Sequence, residues 1–119
     1  MLVQIQVIFS IIALSHNFNV FVIEANPVYK KYIEKSIEIN NFDKNKLKYY
    51  EKFASNVKDD VIFDGWSGNV NMMSYNEKNV IKTVALDDIC SDKNILLLKI
   101  DVEGAEPAVF LSAQNLILN

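Results

Sequence analysis

The run Ile95-Leu96-Leu97-Leu98-Lys99-Ile100-Asp101-Val102-Glu103-Gly104-Ala105-Glu106-Pro107 decides the fold. Four consecutive apolar residues read as a strand buried on both faces, as in a parallel sheet, and predict a strand over 95–100. The three carboxylates that follow cost too much in a core to be packing residues. In an open α/β sheet, ligands bind at the carboxyl ends of strands. Gly104 permits a sharp turn, and Glu106-Pro107 opens a helix predicted from Pro107 to about Leu118, with negative charge at its amide end.

If strand geometry persists, Lys99, Asp101 and Glu103 alternate onto one side. A lysine at the end of a central strand needs a counter-charge, which Asp101 or Glu103 supplies; otherwise Lys99 positions a substrate oxygen. The competing readings are an acidic helix entry without a ligand, and a divalent cation held by Asp101, Glu103 and Glu106 with Asp87 or Asp88. Hard cations do take oxygen ligands, but no spacing here defines such a site.

Upstream, the elements alternate. Val7 to about His16 suits a buried helix closed by Asn17, followed by a short strand, Val20-Phe21-Val22-Ile23. Helix then strand across a tight link is α/β grammar. Glu24-Ala25-Asn26-Pro27 stops that strand, with Asn26 placed to cap a helix and Pro27 suited to its first turn. The helix runs to about Asn40. Its Tyr29, Tyr32, Ile33 and Ile37 repeat at helical spacing and are expected in the core, with Lys30, Lys31, Glu34, Lys35 and Glu38 facing away. After a polar turn, Leu47-Lys48-Tyr49-Tyr50 reads as a strand. Val61-Ile62-Phe63 and Val80-Ile81-Lys82-Thr83-Val84 read as two more, around a turn-rich excursion at Asp64-Gly65-Trp66-Ser67-Gly68-Asn69, where Trp66 either covers a substrate or packs. Leu86-Asp87-Asp88-Ile89 leads into a short helix or turn.

Composition bounds the function. The chain has 119 residues, half of them hydrophobic, which is enough for one domain with a real core over 1–119. A net charge of −3 with the signs interspersed gives no field for a nucleic-acid backbone. Cys90 is the only cysteine and His16 the only histidine, so no internal disulfide and no zinc cluster is expected. The apolar stretch Val7–Leu14 lacks the basic residues that precede a signal peptide's core and is too short to span a bilayer. No membrane association is expected, and a cytoplasmic, reducing compartment is.

Glu24 has two readings. An acidic residue closing a strand of a doubly wound sheet commonly accepts hydrogen bonds from ribose hydroxyls, a task that suits an acceptor-only carboxylate. The alternative is a surface glutamate favoured by the dipole of the following helix.

Together Phe9-Ser10, Val22-Ile23-Glu24-Ala25-Asn26-Pro27, Tyr29, Asn40-Asn41, Thr83-Val84-Ala85-Leu86-Asp87-Asp88 and Leu98 to Pro107 carry a resemblance, in the right order over most of the chain. The chain resembles the FkbM-type class I methyltransferases. The resemblance implies a Rossmann-like sheet with helices on both faces and S-adenosylmethionine as cofactor. It places Glu24, Asn26 and Asp101 on that cofactor and implies methyl transfer to a hydroxyl of a small molecule or glycan. Such a displacement needs orientation and a nearby base, and Asp101, Glu103 or Lys99 is placed to assist deprotonation. Acceptor specificity is expected in the segment from Asn56 to Asn79 and beyond the C-terminal residues.

One departure is large. The family's glycine-rich Asp-Val-Gly-Ala-Asn-X-Gly loop is replaced by Met1-Leu2-Val3-Gln4-Ile5-Gln6-Val7, and no glycine precedes Gly65. Long and β-branched side chains prevent the close backbone approach that glycines allow. The family-like peptide Asp-Val-Gly-Ala-Asn-Thr-Gly-Asn-Phe-Ser, written GAT GTT GGT GCA AAT ACA GGT AAT TTT TCA and read from its second base, spells Met1 to Ile8. One added base near Phe9 restores the family frame. The expectation is a domain incomplete at both ends, with an out-of-frame version of the cofactor loop at its start. Its function is then either methyl transfer or that of a catalytically inactive fragment that at most binds a partner. A Rossmann-type dehydrogenase fits Glu24 but not the acidic segment after Ile100.

Overall fold

The structure is a computed structural model that describes residues 2–4, 7–58, 60–63, 70–71, 80–90, 94–102 and 104–118. In chain order these form β1 (Leu2–Gln4), α1 (Val7–Ser15), β2 (Val20–Ile23), α2 (Pro27–Asn40), a 3-10 turn (Lys44–Lys46) and β3 (Leu47–Tyr50). Then come β4 (Phe53–Ala54), β5 (Asp60–Phe63), β6 (Val70–Asn71), β7 (Val80–Val84), α3 (Leu86–Cys90), β8 (Leu97–Leu98), α4 (Glu106–Leu111) and α5 (Gln114–Leu118).

The main sheet has the order β3-β2-β1-β8, and every pairing in it is parallel. A smaller sheet, β4-β7-β5-β6, has a parallel pairing of β4 with β7 and antiparallel pairings elsewhere. β2 organises both layers, because its four residues are all buried and alternate between faces. Val20 and Val22 share a core with Ala13 and Leu14 of α1 and Ile33 and Ile37 of α2. Phe21 and Ile23 pack with Ala54, Leu86, Cys90, Val109 and Ala113.

Asparagines punctuate the helices as their chemistry suggests. Asn26 caps α2, its side-chain oxygen accepting the Val28 amide at 3.0 Å. Asn17 and Asn41 close α1 and α2 in the left-handed conformation, with φ of 66° and 53°, which short polar side chains tolerate.

Three expectations need correction. The strand expected over 95–100 spans only Leu97–Leu98 and is not buried on both faces: Leu96 is 70% and Leu97 53% exposed. Among the described residues β8 pairs on one side only, with β1, so just Ile95, Leu98 and Ile100 reach the core. Tyr29 and Tyr32 are exposed, and only Ile33 and Ile37 of α2 are buried. Tyr32 sits one residue off the buried line of Ile33 and Ile37, and Tyr29 stands in the exposed first turn.

The single helix expected from Pro107 is broken into α4 and α5 at Ser112-Ala113. Ser112 is buried; its Oγ donates to the Val109 carbonyl at 2.6 Å and accepts the Leu86 amide at 3.3 Å. Both carboxylate oxygens of Asp87 then accept amides at the start of α5, from Asn115 and Leu116, at 3.0 Å each. Tertiary bonds to α3 therefore restart the helix. The turn-rich excursion and Trp66 lie outside the described residues. No helix among the described residues is long and apolar enough to cross a membrane.

Candidate functional site

Parallel strands place their carboxyl ends on one edge of the sheet, and two groups of charged residues sit there. The first follows β2. Glu24 extends the ladder, its amide donating to the Tyr50 carbonyl at 3.0 Å, and its Oε1 accepts the Asn26 amide at 2.7 Å. The side chain is only 8% exposed. Burial pushes its carboxyl up to about 6, against the opposing pull of the Asn26 and Ala25 amides. This excludes the reading of Glu24 as a surface residue.

The turn that carries Glu24 is braced from β3. Tyr49 Oη donates a long, 3.4 Å hydrogen bond to the Asn26 carbonyl. Lys30 Nζ lies 5.8 Å from the Tyr49 ring centroid and pairs with Glu51 at 3.0 Å. Burial first, then the charges of Glu24, Glu51 and Glu34, push the Tyr49 phenol well above its ordinary value, so its hydroxyl keeps the proton it donates.

The second group follows β8. Lys99 Nζ pairs with Asp101 Oδ2 at 3.2 Å and lies 5.8 Å from the ring centroid of Phe9, in the first turn of α1. Both charged side chains are partly buried. Asp101 supplies the counter-charge that a lysine at this strand end requires. Glu103 lies outside the described residues. Gly104 turns the chain with φ of 102°, where an added Cβ would meet nothing within 4 Å.

Glu106 closes that turn. Its two oxygens accept the amides of Gly104 at 2.8 Å and Val102 at 3.3 Å. Its own backbone amide, followed by those of Val102 and Gly104, holds its carboxyl below the usual range. Asp87 caps α5, and Asp88 pairs with Lys58 at 3.3 Å in an exposed position. Asp87, Asp88, Asp101 and Glu106, four of the carboxylates weighed as cation ligands, thus have local protein partners, and no cluster of metal-ligating side chains occurs among the described residues.

β1 alone separates β2 from β8, so the two strand ends lie roughly 10 Å apart at the usual strand spacing. A separate surface groove of about 510 Å³ lies between α2 and β3, lined by Lys31, Glu34, Lys35, Glu38 and Tyr49 among others, and includes neither carboxylate.

No curated protein sequence and no solved structure matches the chain. The family model of the methyltransferase FkbM domain matches residues 7–119, a range that takes in Glu24, the Asp87 cap and the whole segment from Lys99 to Pro107. The chain, an α/β protein with Glu24 and the Lys99–Asp101 pair following strands of a small parallel sheet, belongs to the FkbM methyltransferase family.

Proposed function

We propose that this chain is an S-adenosylmethionine-dependent methyltransferase domain built on a Rossmann-like sheet, acting on a hydroxyl of a small molecule or glycan. The observation that carries the reading is the buried carboxylate of Glu24 at the carboxyl end of β2, beside the central β1 in the order β3-β2-β1-β8. In such sheets an acidic residue at this place accepts the ribose hydroxyls of a nucleotide-type ligand. Asn26 shapes that end through the cap of α2 and the amide it donates to Glu24.

At the other strand end, Asp101 is the group proposed to accept the proton of an acceptor hydroxyl, with Glu103 two residues on as a second carboxylate. Lys99 is better suited to hold Asp101 in place than to act as a base, because its ammonium is engaged by that carboxylate at 3.2 Å.

The residues present fit the cofactor at one end only. Glu24 offers a ribose a dehydrated acceptor. Between β1 and α1, however, the link consists of Ile5 and Gln6, and no glycine precedes Gly65. That composition does not fit a cradle of backbone amides. The mismatch favours a second reading, a relative that binds its ligand without turnover.

Calorimetry with S-adenosylmethionine, together with transfer of its labelled methyl group to a panel of hydroxylated acceptors, tests both readings. The first expects saturable binding lost in Glu24→Ala and transfer lost in Asp101→Asn. Binding without transfer supports the second. No binding by a folded sample refutes the assigned role of Glu24.

A further inference from the structure

We infer that this chain recognises a nucleoside through its ribose diol and gains nothing from the amino-acid part of S-adenosylmethionine, so that adenosine occupies the site as tightly as the full cofactor. The inference rests on the ribose role of Glu24 proposed above, and it follows from comparing the two ends of the site.

The ribose end is built and braced. Glu24 is buried and fixed by the Asn26 amide at 2.7 Å. The turn behind it is held by the Asn26 cap of α2, by the Tyr49 hydroxyl and by the Lys30–Glu51 pair. A carboxylate already confined to one position loses little freedom on taking a ligand's hydroxyls. Burial also makes each such hydrogen bond worth more than at a wet surface.

At the other end the sequence carries no glycine before Gly65. In parallel sheets the first strand-to-helix turn holds the remainder of a nucleotide-type ligand through clustered backbone amides, and glycines allow the approach. Here that link is Ile5-Gln6, and Gly104, the one glycine among the described residues, lies beyond β8 instead. The first turn of α1 presents Val7, Ile8 and Phe9, with no acidic residue among them. A zwitterionic α-amino-carboxylate laid there meets apolar side chains and must give up water for them. Lys99, the cation that reaches this turn over Phe9, is already paired with Asp101.

Binding of S-adenosylmethionine, adenosine, 2′-deoxyadenosine and L-methionine to the full chain, measured by calorimetry, tests the inference. S-adenosylmethionine and adenosine are expected to bind within about threefold of each other, since a tenfold gap would require ~1.4 kcal/mol from the amino-acid part. 2′-Deoxyadenosine is expected to bind at least about tenfold more weakly, one charge-assisted hydrogen bond being worth ~1.5–3 kcal/mol. Methionine is expected not to bind, and Glu24→Gln, shown to be folded by circular dichroism, is expected to lose adenosine. S-adenosylmethionine binding about tenfold or more tighter than adenosine overturns the inference while leaving Glu24 on the ribose. Equal binding of adenosine and its 2′-deoxy form, or no nucleoside binding by the folded chain, overturns both.

Discussion

Replacing Glu24 by Gln should make the chain more stable at neutral pH while removing its grip on a ribose. The carboxyl titrates near 6 in the fold, against 4.5 for the ordinary group, chiefly because burial disfavours its charge. At ~1.4 kcal/mol for each tenfold change in proton affinity, the displacement amounts to ~2 kcal/mol. The folded chain holds this proton more tightly than the unfolded chain does. The resulting stabilisation is fully present below pH 4.5 and is lost as the pH rises through about 6. Above that range the wild-type chain folds around a charge it would rather not bury. A glutamine side chain at this position has nearly the same shape, can still accept the Asn26 amide, and carries no charge at any pH. Urea unfolding at about pH 4 and about pH 7.5, conditions on either side of the isoelectric point, should give equal stabilities at the lower value and a gain of ~1–2 kcal/mol for the variant at the higher. A variant less stable than wild type near neutrality, or a difference that does not change with pH, would refute the reasoning.

Substitutions at two further positions probe the supports of the site. Asp87→Ala removes both acceptors for the Asn115 and Leu116 amides and should cost ~1 kcal/mol in urea unfolding, together with some helical circular dichroism from α5. Asp87→Asn, which keeps one acceptor oxygen, should recover part of the loss. Gly104→Ala puts a Cβ into open space at φ of 102°, so its cost is backbone strain alone, ~1–2 kcal/mol by the same assay; an unchanged midpoint would show that the turn relaxes instead.

What the sequence made legible is what local chemistry decides. Asn26 and Pro27 announce a helix start, Asn17 a helix end, and Val20-Phe21-Val22-Ile23 a strand with no polar face; each is found where it was expected. The apolar run at 95–98 shows the limit. Burial on both faces requires neighbours on both sides, and no residue of the run encodes whether a second neighbour is there. The break between α4 and α5 has the same origin. Ser112 could have continued a helix, and the amides that restart it are held by Asp87, 28 and 29 residues away in the chain. Tyr29 and Ile33 share one helical line, yet one is exposed and the other buried, a difference the helical spacing alone does not encode.

The site follows the same division, and the carboxylates show why. In sequence Glu24 and Glu106 are alike, each an acidic residue at a strand end or turn beside a proline-led helix. The fold treats them oppositely. Glu106 spends both oxygens on backbone amides and is held below the usual carboxylate range, so the charge is a structural part that the turn itself stabilises. Glu24 is raised to about 6 because burial outweighs the amides it accepts. A fold has no internal reason to keep a group whose charge lowers its own stability, when glutamine would fill the same space. A ligand whose donors favour the charged form would supply that compensation, which is the role proposed for Glu24, and perturbed carboxylates cluster at functional sites. The sign of the displacement, which depends on burial and not on residue type, separates the carboxylate proposed to serve a ligand from the one that serves the turn.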